Sequence, residues 1–428
     1  MDEVNRNRLE EFRQLRQEVR HSEEYLIVGI DIAKDQHHAF FGTATGKTLL
    51  RHLVFSNDHE GFRKLLDHAE ALRVRHGLKK VVYGMEPTAN YHKPLGEYLI
   101  ILGRTVVLVS GVTVKRNRES LDGRWDKHDA KDSANVADLI SQGKCLYYEH
   151  PSAELRGLRG LLSLKRRLKK QEHGYRVRIR NHLIAQYFPE MDRDYERLGA
   201  AGLSIVRWCL PASQITELDV EPFIQRVTSR RIRVETRRRL EGVWEKAAES
   251  IGCNGVPGVD HEAKVMVEGL KQIRAMMKET EGKIQDLCKQ FPEYSFLLTI
   301  PGFGPDVSAK VLGAIGEPDR FDNRRQVLKL AGLDLSADRS GKDSDKAIPQ
   351  ISKRGKADLR YALYQAALIA STKNQKFMYY YTSKLRGREK EKGIHTKMYV
   401  KLSAKMLLIA WTLMKKKEVF DPAHLDAE

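Results

Sequence analysis

Apolar runs and helix-periodic segments alternate over the first 150 residues of the chain. Five runs rich in apolar residues predict strands, at 26–31, 38–43, 48–55, 80–85 and 105–110. Apolar residues spaced three and four apart predict helices, at 60–75, 91–102 and 130–142. Because strands come first and then alternate with helices, the pattern predicts a mixed α/β sheet with helices on its faces.

Beyond residue 150 the strand signals nearly vanish and long helices are predicted. Leucines at helical spacing predict one long helix over 155–183. Its opposite face is basic and includes Lys165, Arg166 and Lys169. A second long helix carries apolar residues in alternating steps of three and four over 270–287, which is a heptad seam. The two helices can pair as a hairpin inside one chain or across subunits, and the sequence leaves both arrangements open.

These patterns divide the chain into four predicted parts. Residues 1–24 form an amphipathic helix, 25–150 an α/β domain, 151–292 the long-helix segment with a helical insertion, and 293–428 a compact helical domain. Within the third part, 190–260 is polar and helical without a clear order of elements. No apolar run approaches the roughly 20 residues of a membrane span, and residues 1–24 do not resemble a secretory signal. We therefore expect a cytoplasmic protein that does not associate with a membrane.

The charge of the chain indicates the kind of partner. Lys and Arg number 75 and Asp and Glu 57, which gives a formal net charge of +18. An excess of this size predicts a polyanionic partner. The four cysteines lie far apart and form no CxxC pair, which argues against a zinc site or a disulfide framework and fits a reducing compartment.

Four acidic residues stand where the predicted sheet could bring them together. Asp31 and Glu86 each end a predicted strand, and Asp129 and Asp132 lie three residues apart at the start of a helix, on one side of it. If the first and fourth strands pair, Asp31 lies beside Glu86 and the helix closes over both. Clustered carboxylates repel one another unless cations neutralise them, and hard oxygen ligands suit Mg²⁺ or Mn²⁺. Two such ions would clamp a scissile phosphate, which predicts phosphodiester chemistry on nucleic acid.

Each of these acids also has an ordinary explanation. Acids at strand ends are often caps or surface groups, and Asp129 and Asp132 can simply stabilise the start of a helix. If the four carboxylates do not converge, the chain is better explained as a nucleic-acid-binding protein without catalytic activity. If they converge and no serine takes part, a metal-dependent junction resolvase or nuclease is expected.

The C-terminal part contains a glycine turn and a polar loop. Gly302 and Gly304 precede a predicted helix at 305–316, as in a helix-hairpin-helix element whose backbone N–H groups contact phosphate. A tight turn between two packed helices explains these glycines equally well. The polar loop at 334–356 places Ser340, next to a glycine, among cations that would stabilise an attacked phosphate. Most serines in such loops are solvated linkers or caps. The rival serines of this loop are Ser336, Ser344 and Ser352.

Cations are dense in the same region and predict contacts with phosphates. Those in and after the loop are Arg339, Lys342, Lys353, Arg354, Lys356 and Arg360. A further basic run covers 384–417, and Tyr379–Tyr381 precede it, where they could stack on bases. The alternative is a solvated charged face with three core or rim tyrosines.

Taken in order, these motifs resemble a known family, the DEDD transposases of the insertion-sequence one-ten and eleven-eleven group, which are bridge-RNA-guided recombinases. The resemblance spans nearly the whole chain, from Leu26 to about Met414. The segments that carry it are 29–34, 86–91, 129–132, 300–304, 330–333, 339–341, 352–355 and 359–366. No single motif is decisive, whereas the ordered set is highly specific.

The resemblance implies a RuvC-like domain of ribonuclease H fold, a coiled-coil segment and a C-terminal transposase domain. It assigns Asp31, Glu86, Asp129 and Asp132 as catalytic acids that bind Mg²⁺ or Mn²⁺. It assigns Ser340 as the nucleophile that forms a covalent phosphoserine link to DNA, so that strands are exchanged without free double-strand breaks.

The resemblance also implies the partners. A structured noncoding bridge RNA pairs with donor and target DNA, and homodimers join into homotetramers in which the acids and the serine of one active site come from different subunits. Three positions depart from the usual family pattern. Ala89 stands where Gly is usual, His128 where Thr is common, and Ser133 where Ala is common. All four acids remain in place, and Asp122 and Asp126 are spare candidates.

Overall fold

The computed structural model describes residues 3–122, 129–228, 232–336 and 350–425 of the chain. It divides into two compact units, Met1–Ser152 and Ala153–Glu428. The first unit contains a mixed sheet and the second consists almost entirely of helices. The predicted mixed α/β sheet and the predicted helical C-terminal region are therefore confirmed, whereas the division into four domains stays a prediction.

A six-stranded sheet with the order β3-β2-β1-β4-β5-β6 forms the centre of the first unit. Strands β1 to β3 form an antiparallel meander, β1 pairs in parallel with β4, β4 pairs in parallel with β5, and β6 is antiparallel to β5. The strands are β1 (Tyr25–Asp31), β2 (Gln36–Thr43), β3 (Thr48–Ser56), β4 (Lys80–Met85), β5 (Thr105–Leu108) and β6 (Leu146–Tyr147). The helices are α1 (Glu3–Glu18), α2 (His59–Arg75), α3 (His92–Ile101), α4 (Gly111–Asp122) and α5 (Asp129–Ser141).

Alternation along the strands gives the sheet two buried faces. Residues such as Leu26 and Val28 of β1 pack with α2 and α3 in one core. Ile27 of β1 and Val82 of β4 face the opposite core, which α1, α4 and α5 cover. We call this second side the α5 face. Helix α1 belongs to it, because Leu15 and Val19 of α1 are buried there.

The second unit is built on two long antiparallel helices, α6 (Ala153–Arg178) and α13 (Val259–Cys288). Lys165 forms an ion pair with Glu281, and Arg274 with Glu172, so the contacts run in opposite directions along the two helices. The long helices thus pair within one chain, as the hairpin alternative expected. Among the described helices, none combines the length and the apolar character that a membrane crossing requires.

Two separate cores lie at the two ends of this hairpin. At one end, residues between 179 and 270 form a helical core. The order of its helices was not predicted from the sequence. It contains a π-helical segment (Ile179–Ile184), α7 (Ala185–Tyr187), a 3₁₀ segment (Pro189–Met191), α8 (Asp192–Leu198), α9 (Ala200–Trp208), α10 (Ser213–Thr216), α11 (Val220–Val227) and α12 (Val234–Ala248).

At the other end of the hairpin lies the core of the C-terminal helices. Its helices are α14 (Pro292–Leu298), α15 (Pro305–Ile315), α16 (Arg324–Ala331), α17 (Ala357–Lys373), α18 (Gln375–Leu385) and α19 (Ile394–Lys416), with 3₁₀ segments at Pro318–Arg320 and Pro422–Leu425. Two short strands, β7 (Leu335–Ser336) and β8 (Gln350–Ile351), pair antiparallel. They bring the two ends of the intervening segment together.

Candidate active site

Asp31 and Glu86 lie at the same edge of the sheet because β1 and β4 run in parallel. Gly29 pairs with Gly84, and Ile30 pairs with Met85, so Asp31 and Glu86 come next along the two strands. Alternation along a strand puts residues two apart on one face. Both carboxylates therefore extend from the α5 face, at the carboxyl ends of the parallel strands, and both residues are half-buried.

Helix α5 reaches this edge through a close contact with the sheet. A Cβ on Gly29 would stand 2.2 Å from the carbonyl oxygen of Ser133 and 2.5 Å from the backbone nitrogen of Ala137. Ile140, one turn further along α5, packs on Gly84 and lies in the same core as Ile27. Arg20 Nε, five residues before the start of β1, donates to the Gln142 carbonyl oxygen at 2.7 Å, just beyond the end of α5. The last residues of α5 thus lie near the start of β1, so the helix runs antiparallel to this strand and its first residues lie at the edge that holds Asp31 and Glu86. Asp129 is the first residue of α5, and its side chain lies outside the part that the structure describes.

Asp132 is buried and is paired with an arginine. Arg118 Nη2 lies 2.7 Å from Asp132 Oδ1, and only 5% of the aspartate side chain is exposed. Within the described part of the chain, Asp132 Oδ1 nevertheless has no hydrogen-bond partner, because the N–H groups of Arg118 are not directed at it. The Oδ1 oxygen of the buried Asp132 carboxylate can therefore still accept a hydrogen bond or bind a cation.

Arg118 belongs to α4, a helix that the sequence did not predict, and polar contacts hold this helix against α5. Asn117 Nδ2 donates to Asn135 Oδ1 at 2.8 Å and to Asp138 Oδ2 at 2.7 Å. Asn135 Nδ2 donates to the Val114 carbonyl oxygen at 2.8 Å. The sequence signal for this contact is the row of polar residues at 132, 135 and 138, which are spaced by three along a helix that also carries apolar residues at 134, 136, 137, 139 and 140.

The other end of α4 contacts Glu86. A Cβ on Gly111, the first residue of α4, would lie 2.5 Å from Glu86 Oε1. The carboxylate thus lies against the helix N-terminus, where the positive end of the helix dipole stabilises a negative charge. Helix α4 therefore contacts two of the predicted acids, Glu86 through Gly111 and Asp132 through Arg118.

The donor set of this edge is suited to a hard divalent cation. Asp31, Glu86 and Asp132 supply carboxylate oxygens, which Mg²⁺ and Mn²⁺ prefer, and Asp132 Oδ1 is a buried oxygen without a directed hydrogen bond. Among the side chains that the structure describes, however, no three carboxyl, imidazole or thiol groups lie close enough to share one ion. The convergence of all four acids on one ion thus stays a prediction.

The serine loop is described only at its base. Arg339, Ser340, Lys342 and Ser344 lie outside the described residues, as do Asp126 and His128. Strands β7 and β8 close the loop, with Leu335 opposite Ile351. Just below them, Ser352 Oγ donates to Asp334 Oδ1 at 2.5 Å. This rival serine therefore holds the base of the loop together.

Arg360 and Lys356 contact backbone carbonyls of their own unit. Arg360 Nη1 donates to the Ala331 carbonyl oxygen at 2.8 Å, and Lys356 Nζ donates weakly to the Ala314 carbonyl oxygen at 3.4 Å. Lys353 and Arg354 are exposed, and Lys353 has a left-handed backbone with φ of +55°. Whether any of the four contacts a phosphate stays a prediction.

The three cations predicted on α6 also differ from one another in their contacts and exposure. Lys165 Nζ lies 2.6 Å from Asp306 Oδ1 and 2.9 Å from Glu281 Oε1. Burial alone would lower the pKa of Lys165, but these hydrogen bonds outweigh it and raise the pKa above its usual 10.5. Arg166 pairs with Asp358 at 3.1 Å, and Lys169 is exposed.

The two glycines of the predicted hairpin have different surroundings. Gly302 has a φ of +86°, and a Cβ there would meet the Ala366 carbonyl oxygen at 2.4 Å, so this glycine packs the turn against α17. Gly304 caps α15, and its Cα faces open space. Of the two, only Gly304 leaves room for a phosphate next to the chain.

A strongly basic surface follows α18. We define the basic segment as residues 384–405, which contain eight Lys and Arg and two Glu. Its helices are held together by aromatic contacts. Tyr381 stacks on Tyr399 with ring centres 4.7 Å apart, and its hydroxyl lies 2.7 Å from His395 Nδ1. Tyr381 thus belongs to the interior, whereas Tyr379 is 75% exposed.

Comparison with known families gives two matches. Residues 28–189 match a transposase family model of the DEDD type that is named after IS110. Residues 294–382 match the model of the transposase IS116/IS110/IS902 family. The first match covers the end of β1 with Asp31 and the whole of β4, α4 and α5, and the second covers the residues around the serine loop.

Full-length relatives agree with these matches. The chain is 24% identical to the uncharacterized 44.8 kDa protein of insertion element IS116 from Streptomyces clavuligerus, over 92% of this chain and 96% of the relative. It is 23% identical to the uncharacterized 42 kDa protein of insertion element IS900 from Mycobacterium paratuberculosis, over 93% and 98%. It is 21% identical to a pilin gene-inverting protein from Moraxella bovis, over 92% and 97%.

Proposed function

Because the chain belongs to the IS116/IS110/IS902 family of transposases, we propose that it is a DNA recombinase of an insertion sequence whose acids act at the carboxyl edge of the sheet. The observation that carries this proposal is the geometry of that edge. Parallel pairing of β1 with β4 brings Asp31 next to Glu86, and the contact of α5 with Gly29 brings Asp132 to the same end. The strand order, with β1 between β2 and β4, supports a RuvC-like ribonuclease H fold.

Asp31, Glu86, Asp129 and Asp132 would hold Mg²⁺ or Mn²⁺. When bound, the divalent ion would stabilise the negative charge that develops on the phosphate during strand cleavage. These acids stand at the ends of two strands and on one helix, and such regular elements keep their positions precise. The close contact of Glu86 with Gly111 and the Arg118–Asp132 pair stabilise the carboxylates before an ion binds.

Ser340 would act as the nucleophile. Its hydroxyl oxygen forms a bond to phosphorus and gives up its proton, while the bond between phosphorus and the departing deoxyribose oxygen breaks and that oxygen takes up a proton. The product is a phosphoserine link that preserves the energy of the phosphodiester for rejoining. The β7–β8 ladder and the Ser352–Asp334 hydrogen bond support this role, because they anchor both ends of the loop that contains Ser340.

Nucleic acid would bind through the basic surfaces of the second unit. The net charge of +18 and the basic segment at 384–405 supply cations for phosphates. Exposed Tyr379 offers a ring for stacking on a base. Lys353, Arg354 and Lys169 are exposed and remain candidates for phosphate contacts.

The finer features of the proposal follow the resemblance. A structured bridge RNA would pair with donor and target DNA, and the cations of the protein would hold the backbones of both. Homodimers would join into homotetramers, so that the acids of one subunit act with Ser340 of another. The name of the gene-inverting relative supports site-specific recombination as the reaction class, since inversion requires strands to be cut and rejoined.

The test is the detection of a covalent protein–DNA adduct. Purified protein, Mg²⁺, its RNA and both DNA sites should yield an adduct that survives denaturation. Ser340→Ala should abolish the adduct while DNA binding persists, and Asp31→Asn should abolish turnover. Ser344→Ala, a rival serine in the same loop, is the matched control and should leave the adduct in place.

Two outcomes would contradict the proposal. An adduct that survives Ser340→Ala would exclude Ser340 as the nucleophile. Free cleaved ends without covalent protein would instead favour a metal-dependent nuclease that uses water. Binding of DNA without any cleavage, whatever the ion or RNA, would favour a protein that only binds nucleic acid.

A further inference from the structure

Arg118 is the cationic partner of the buried Asp132 carboxylate. Its Nη2 lies 2.7 Å from Asp132 Oδ1, and the two side chains are 22% and 5% exposed. We propose that Arg118 and the divalent ion compete for the Asp132 carboxylate, so that the ion displaces the guanidinium when it binds. This inference rests on the proposed function, in which Asp132 is one of the metal-binding acids.

The contact has the properties expected of an exchangeable one. A buried carboxylate is costly without a counter-charge, which explains why a guanidinium accompanies Asp132. In the part of the chain that is described, neither Asp132 Oδ1 nor Arg118 Nε has a hydrogen-bond partner. Charge attraction thus holds the pair without the paired, directed hydrogen bonds that make arginine–carboxylate contacts strong. A hard cation that coordinates the oxygen directly can replace such a partner.

The surroundings allow exchange without unfolding of α4. Asn117, the preceding residue, donates hydrogen bonds to Asn135 and Asp138 of α5. Val114 is buried in the core of the α5 face. These contacts keep α4 on α5 when the charge pair is broken, so displacement requires only that the Arg118 side chain change its rotamer.

A purely structural ion pair predicts a different result. If Arg118 only fastens α4 to α5, its removal lowers the melting temperature and leaves the affinity for the ion unchanged or weaker. If Arg118 competes with the ion, its removal raises that affinity, because the ion no longer has to displace another cation. Ion affinity therefore separates the two roles, which the melting temperature alone does not.

The experiment measures Mn²⁺ binding to the full-length protein. Free Mn²⁺ is followed by electron paramagnetic resonance during titration, and melting temperatures are recorded with and without Mn²⁺. Arg118→Gln should bind Mn²⁺ about tenfold more tightly than the wild type. Without Mn²⁺, its melting temperature should be lower than that of the wild type. Addition of Mn²⁺ should raise its melting temperature by more than it raises that of the wild type. Arg118→Met, which keeps the apolar stem, is prepared in parallel so that a folding defect in one variant does not decide the result.

Two controls accompany these variants. Arg118→Lys keeps a cation at the position and should stay near the wild-type affinity. Arg116→Gln removes the same charge from an exposed position of the same helix. It should change neither the Mn²⁺ affinity nor the melting temperature.

The outcomes separate this inference from the function on which it rests. Unchanged or weaker Mn²⁺ binding by the Gln and Met variants, with binding still abolished by Asp31→Asn, would overturn the competition and leave the acidic site intact. Absence of any Mn²⁺ binding that depends on Asp31 would overturn both.

Discussion

Gly29 of β1 lies directly against the backbone of Ser133 of α5, and this contact determines where the acids of the site lie. A Cβ on Gly29 would stand 2.2 Å from the Ser133 carbonyl oxygen. Only glycine permits so close an approach of a helix to a strand. Asp132 precedes Ser133, and Asp31 lies two residues beyond Gly29 on the same face. One backbone contact thus brings the two acids to the same edge of the sheet.

Gly29→Ala should therefore damage both stability and activity. The added methyl group meets backbone atoms that cannot move aside, so α5 must shift and carry Asp132 away from Asp31. We expect the free energy of unfolding in urea to fall by about 1–3 kcal/mol, as for other overpacked cores. DNA joining should fall further than the loss of stability explains.

The matched control is Gly160→Ala on α6. A Cβ at Gly160 meets nothing within 4 Å, so alanine should stabilise the helix by up to about 1 kcal/mol. Wild-type stability together with wild-type DNA joining in the Gly29→Ala protein would show that α5 does not lie on the sheet as described.

Ala89 has a strained backbone in the loop that follows Glu86. Its φ is +45°, a region in which alanine is disfavoured and glycine is not. The family pattern that the sequence resembles has glycine here, and this conformation gives a physical reason for it. Ala89→Gly should raise the free energy of unfolding by about 0.5–1 kcal/mol, measured by urea denaturation. Ala275→Gly, at an exposed position in the middle of α13, should lower it by about 1 kcal/mol. A loss of stability in both variants would argue against the left-handed conformation of Ala89.

The strands of the first unit could be predicted because each is a buried apolar run. Their pairing brings Asp31 beside Glu86 as the sequence suggested, since β1 and β4 are neighbours. Helix α4 could not be predicted. Its apolar residues are few, and the groups that hold it, such as Asn135, lie on another helix about twenty residues away in sequence. Arg118 was overlooked for the same reason.

The sequence was less informative on the roles of individual cations. Lys165 has its partner Asp306 at a distance of 141 residues, and Arg166 has Asp358 at 192 residues. Such pairs depend on tertiary structure, so composition alone cannot separate them from phosphate contacts. The order of the helices in 190–260 could not be predicted either. Most of them are short, and they bury their apolar residues against one another, the π-helical segment and α13.

Arg360 and Lys401 should respond differently to substitution. Arg360 donates to the Ala331 carbonyl at the end of α16, so Arg360→Ala should lower stability by about 1–3 kcal/mol through loss of a charge-assisted hydrogen bond. Lys401 is an exposed member of the basic segment. Lys401→Ala should keep wild-type stability and weaken DNA binding, and the slope of log affinity against log salt should decrease by about 1. The measurements are urea denaturation and DNA affinity over a salt series.

The reverse pattern would change the assignment of these two residues. If Arg360→Ala kept its stability and reduced the salt slope, Arg360 would be a phosphate contact, as its sequence context first predicted. If Lys401→Ala left the slope unchanged, the basic segment would be a solvated charged face at that position.

His37 should make the stability of the protein depend on pH. Its ring is buried beside Phe55, and its Nδ1 accepts a hydrogen bond from the Ala33 N–H at 3.2 Å, which requires a neutral ring. Burial lowers the pKa of His37 below its usual 6.5. As pH falls below 6.5, the unfolded chain takes up a proton that the folded chain does not, so stability is full above that pH and decreases below it.

His37→Asn tests this pH dependence, because asparagine keeps an acceptor near the position of Nδ1 and does not titrate. Urea denaturation at a series of pH values from 7.5 to about 5 should show a smaller decrease in unfolding free energy than in the wild type. Burial also lowers the pKa of His92, so part of the decrease should remain. The matched control is His76→Asn, which makes the same exchange at an exposed position just after α2. A wild-type profile in the His37→Asn protein would mean that the His37 ring takes up a proton in the folded state as readily as in the unfolded chain.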